Sequence, residues 1–102
     1  MESYMAYVTF KSIVGNRYVI QLSQIVSVQS IHTTNMRCTI VIRTTSGEKF
    51  DVIQDSYDIC DEVMKEYMNW LDNVNDGTHV SGFDFRESLT IIKARTAQLN
   101  DE

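Results

Sequence analysis

The chain has 102 residues, of which 43% are hydrophobic and 23% charged, with a formal net charge of −5. That length supports one core and a single domain over residues 1–102, and the composition excludes a disordered or low-complexity chain. The acidic balance argues against nucleic acid as a partner, and two cysteines without CxxC spacing exclude a disulfide framework.

The opening MESYMAYVTF lacks the basic region and long apolar stretch of a secretory signal. No apolar run approaches the length of a membrane span. The expectation is a reduced, cytoplasmic protein without a membrane partner.

Residues 7–14 alternate, with Val8, Phe10, Ser12 and Val14 on one side of a strand and Tyr7, Thr9, Lys11 and Ile13 on the other. Gly15-Asn16 supplies a turn. RYVIQL then places Tyr18, Ile20 and Leu22 on one face, and a kink is expected near Gln24. IVSVQSI resumes the period of two, HTTNM reads as a loop, and CTIVIRTT follows with Cys38, Ile40, Ile42 and Thr44 inward and Thr39, Val41 and Arg43 outward. After the turn SGEK, the strand KFDVI points Phe50 and Val52 inward. β-Branched and aromatic residues on short links predict an antiparallel meander of about five strands.

At Asp55 the period changes. Ile59, Cys60, Val63, Met64, Tyr67, Met68, Trp70 and Leu71 recur at helical spacing, predicting a helix from Asp55 to about Asp72. Their apolar arc is wider than one face requires, so Tyr67, Met68 and Trp70 become candidates for an oligomer interface. DNVNDGTHVSG reads as a loop. Phe85, Leu89, Ile92, Thr96 and Leu99 then follow at steps of four and three, with Asp84 and Glu87 in the positions of a capping box. A second helix is expected there, with a strand over SLTIIK as the competing reading.

Charge is unevenly placed: +3 over residues 1–47, −7 over 48–76 and −1 over the remainder. Asp55, Asp58, Asp61, Glu62 and Glu66 share the polar side of the first helix. Asp55 stands where an N-cap belongs, and Asp58 lies in the first turn, where the helix dipole favours an anion. These roles need no metal, and no EF-hand spacing or HExxH motif is present. His32 and His79 lie in separate loops, Cys60 belongs to the apolar stripe, and no nucleophile–base pair can be assembled.

The fold expected is therefore α+β: a curled antiparallel sheet of about five strands packed on one long helix, with a C-terminal helix. The function expected is that of a small non-enzymatic interaction protein, an accessory protein or phage-type inhibitor or adaptor. It would act without cofactor or metal, through self-association and through Asp55, Asp58, Asp61, Glu62 and Glu66, which would meet a basic protein partner. Two alternatives stand beside it: a nucleic-acid-binding sheet using the side of Lys11 and Arg43, and an oligomer that sequesters a small ligand.

Overall fold

In the computed structural model, which describes residues 6–75 and 82–100, the alternating first half forms strands at the expected places. Strand β1 (Tyr7–Lys11) turns through Gly15 into β2 (Arg17–Gln21), and the two pair antiparallel from Tyr7–Gln21 to Lys11–Arg17. Gly15 has φ +103°, a backbone state that side chains with a Cβ rarely adopt. The strand ends earlier than its alternation suggests. Ser12 is buried, but Ile13 and Val14, the latter expected to continue the inward face, are exposed in the turn.

The single curled sheet is replaced by two sheets of three strands. A 3-10 turn over Leu22–Gln24 takes the chain out of the first sheet. Strands β3 (Ile25–His32), β4 (Arg37–Thr44) and β5 (Lys49–Ser56) then build a separate antiparallel sheet in sequential order. The first sheet is completed by β6 (Gly82–Asp84), which lies parallel to β1 in the order β2-β1-β6. Gly82 falls opposite Tyr7, and a Cβ there would come within 2.6 Å of the tyrosine ring. A strand of three residues is too short to display a period of two, which is why the sequence read as loop.

Strand β4 is buried on both faces, so Thr39 and Val41 are inside rather than outward. It is the central strand, and Val41 is flanked by Gln29 on β3 and Asp51 on β5. Its pairing with β5 slips by one residue between Ile40 and Val41, which leaves Val52 as the extra residue of a bulge. The slip explains why Val52 and Ile53, consecutive residues that a regular pleat would send to opposite faces, are both buried.

The β3–β4 hairpin closes through Asn35 and Met36, both at positive φ (62° and 58°), with the Arg37 amide donating to the Thr34 carbonyl at 3.3 Å. Positive φ at both central residues is the signature of a type I′ turn, whose twist matches that of the strands. Asn tolerates that state; Met does not benefit from it.

Helix α1 spans Tyr57–Asn75 and packs on β3, β4 and β5. Helix α2 spans Phe85–Asn100, a helix rather than a strand, and packs on α1 and β1. Phe85 and Ile92 are buried, but every residue from Lys93 to Leu99 is exposed, including Thr96 and Leu99 of the expected apolar stripe. The helix therefore runs beyond the core that its first half completes.

Both sheets and both helices feed one hydrophobic cluster. Two aromatic groups fasten it. Phe10 and Tyr18 of the first sheet meet Phe50 of the second, with ring centroids 5.4 and 4.5 Å away. Tyr67 and Trp70 of α1 meet Phe83 and Phe85 at 5.3–5.8 Å. Rings at these separations add to the gain from area burial.

Candidate functional site

The acids that open α1 divide into two kinds. Asp55 is not the N-cap and does not belong to the exposed strip. It lies in β5 opposite Cys38, where its Oδ1 accepts from the Ser56 amide at 2.8 Å and its Oδ2 faces Lys93 Nζ of α2 at 3.3 Å. The cap is Ser56, whose Oγ accepts from the Ile59 amide at 3.4 Å. The strand simply runs two residues further than the change of period indicates, so the helix starts later.

Asp58, Asp61, Glu62 and Glu66 share the outer side of the helix, as the spacing predicts. Asp58, Asp61 and Glu66 are exposed, and Glu62, partly buried, meets Lys65 at 3.2 Å. Among the described residues no other cation comes within 4 Å of these four carboxylates. Nor does any group of three His, Cys, Asp or Glu side chains among the described residues converge as metal ligands.

The expected oligomer surface is mostly used inside the chain. Tyr67 and Trp70 are buried at 5% and 6% exposure against Phe83 and Phe85, while Met68 is 60% exposed. The wide apolar arc is accounted for by two surfaces of the same chain, the β3-β4-β5 sheet on one side and β6 with α2 on the other. Phe83 and Phe85 carried that information in sequence, but only their contact with Tyr67 reveals it.

Cys60 lies deep in the core. Burial, with the adjacent Cys38 thiol, pushes its own thiol up to about 12, far from a reactive thiolate. The Cys38 sulfur is 2.6 Å from Ser30 Oγ. His32 stacks on Tyr57 with ring centroids 4.2 Å apart, and the Tyr57 hydroxyl donates to the Thr33 carbonyl at 3.2 Å. His79 lies outside the described residues.

Lys11 and Arg43 do not share a sheet face. Lys11 is on β1 of the first sheet and Arg43 on β4 of the second. Lys11 is joined instead by Arg86, near the start of α2, and by Arg37, at the start of β4, around a cleft of about 470 Å³. One wall is Ser12 to Gly15, held to the second sheet by the Ile13 amide donating to the Asp51 carbonyl at 3.2 Å. The opposite wall is β5, the edge strand of its sheet, at Val52 to Gln54. Arg37 Nη2 reaches the Gln54 carbonyl at 3.5 Å. Arg86 is fixed by the helix start: Asp84 Oδ1 accepts from the Arg86 and Glu87 amides at 2.9 and 3.1 Å, satisfying two donors of the first turn. Sequence reasoning missed Arg86 because only the crossing of α2 over β1 brings it to Lys11.

The described helices include none long and apolar enough to cross a membrane. No protein-family model, no curated protein and no solved structure matches this chain.

Proposed function

We propose that this chain is a small non-enzymatic interaction protein that presents the outer face of α1 to a basic protein partner. The observation that carries this reading is the row of Asp58, Asp61 and Glu66, exposed and without a facing cation among the described residues. Carboxylates left uncompensated along one helix face create a local negative field, which speeds encounter with a basic surface and is screened by salt. Met68, exposed on the same helix, adds an apolar contact beside the charges.

The test is charge reversal at Asp61 and Glu66, exposed positions without an ion-pair partner among the described residues, where substitution costs within ~0.5 kcal/mol. Asp55 is left intact, since its carboxylate ties β5 to α2 through Lys93. The folded variant should capture the native partner more weakly than wild type at low salt, with the difference shrinking at moderate salt. Equal capture at both salts would reduce the acidic row to a solvated face.

A further inference from the structure

We propose that the cleft between β1, the edge of β5 and α2 binds the phosphate of a small phosphomonoester through Lys11, Arg37 and Arg86. Three cations from three separate elements line one concavity of about 470 Å³, and among the described residues no Asp or Glu lines it. That is a notable composition in a chain whose net charge is −5. Among the described residues none of the three makes an ion pair. Like charges brought together without counter-charge repel, and a dianion placed between them relieves that repulsion while accepting their hydrogen bonds.

The donor set suits a phosphate. Two guanidinium groups offer planar forks that match its oxygens, and the ammonium adds a compact point charge. Ser12 lies in the same wall. It is 8% exposed, and its hydroxyl has no hydrogen-bond partner among the described residues.

Size and surroundings narrow the ligand. The volume lies in the range of small-molecule sites and exceeds what inorganic phosphate fills. Ile53 and Leu89 provide apolar wall for the rest of such a molecule. Lys11 and Arg86 also line a second hollow, where Arg17 joins them and Asp84 and Glu87 place two carboxylates. The two carboxylates offset most of the positive charge there, so the uncompensated charge is concentrated in the first cleft, which fits one terminal phosphate. The acidic chain as a whole opposes nucleic acid in the same sense.

Isothermal titration at low ionic strength with inorganic phosphate, AMP and adenosine tests the assignment. Saturable binding is expected for AMP and, more weakly, for phosphate, and none for adenosine. Arg86→Gln and Arg37→Gln, each checked for folding by circular dichroism, should weaken AMP by about tenfold or more, that is ~1.4 kcal/mol or more. Lys11→Gln, on a different element, serves the same purpose if either arginine variant misfolds. Arg43→Gln, which removes a cation outside the cleft, should leave the affinity unchanged. The proposal is overturned if neither phosphate nor AMP binds at millimolar concentration, or if the cleft variants bind as wild type does. It is equally overturned if a single-stranded oligonucleotide binds with length-dependent affinity while AMP does not, which would make the cations part of a polyanion track.

Discussion

Replacing Asp84 with Ala removes one side chain and two hydrogen bonds, those from the Arg86 and Glu87 amides at 2.9 and 3.1 Å. Loss of an N-cap acceptor costs about 0.5–2 kcal/mol. Loss of a negative charge at a helix N-terminus costs a further ~0.3–1 kcal/mol when the site is solvated, as this exposed residue is. The expected loss is therefore about 1.5 kcal/mol, set against a total stability on the order of 5–15 kcal/mol for a domain of this size. Asp84→Asn keeps an acceptor in the same place and drops only the charge, so it should cost only the ~0.3–1 kcal/mol of that charge. Trp70, the only tryptophan, packs 5.8 Å from Phe83 in the cluster that α2 completes, so its fluorescence reports the transition. Urea unfolding should show a lower midpoint for Asp84→Ala with an unchanged slope. In a thermal scan the same loss lowers Tm by roughly 6–12 °C. If Asp84→Ala unfolds within ~0.3 kcal/mol of wild type, the cap contributes nothing. If Asn costs as much as Ala, charge rather than the hydrogen bonds carries the effect.

Phe85, fully buried against Phe83 and Tyr67, should cost about 3–5 kcal/mol when cut to Ala, against under ~1.5 kcal/mol for Leu if the site repacks; urea midpoints of the two variants decide between these values. Met36→Gly removes a side chain held at φ 58° on an exposed turn, and should raise stability by roughly 0.5–1 kcal/mol because relief of the left-handed state exceeds the added freedom of the unfolded chain; a lower urea midpoint would refute the strain. The Cys60 thiol, pushed up to about 12 from its ordinary 9.0, keeps its proton after the unfolded chain has lost it. Its contribution is therefore complete below about pH 9 and is lost as pH rises towards 12. Urea midpoints from pH 8 to 11 should fall, and less steeply in Cys60→Ala; equal slopes would show that the thiol does not contribute.

Strands and helices were legible in the sequence wherever enough residues repeated the pattern. Val8 and Phe10 alternate inward as their period implies, and Val63 and Tyr67 mark the buried stripe of α1. What failed to show was pairing between distant segments. Ile53 is buried because of a one-residue slip against Ile40, and a bulge has no periodicity to read. Tyr67 and Trp70 announced a second apolar contact correctly, but whether another subunit or Phe83 and Phe85 supplies it is a question of topology. Asp55 looked like a cap because Asp often caps helices; its ion pair with Lys93, 38 residues further along, reassigns it. Of the acidic face, Asp58, Asp61, Glu62 and Glu66 follow from spacing alone, whereas the three-cation cleft depends on the placement of α2 over β1.

The parallel pairing of β1 with β6 also bears on the order in which the molecule assembles. It joins Tyr7–Thr9 to Gly82–Asp84, segments near opposite ends of the chain, whereas β3, β4, β5 and α1 connect through short turns. Closing so long a loop carries an entropic penalty that three residue pairs offset poorly, and contacts of large sequence separation slow folding. The central meander and its helix therefore form a local nucleus, and β6 docks late, carrying α2 with it. The same ranking predicts the order of opening under native conditions: hydrogen exchange should show β6 opening before the central sheet, with amides of β4 exchanging last. Because Arg86 rides on α2, the cleft is completed only when α2 docks, so an occupant of the cleft would favour the docked state of α2.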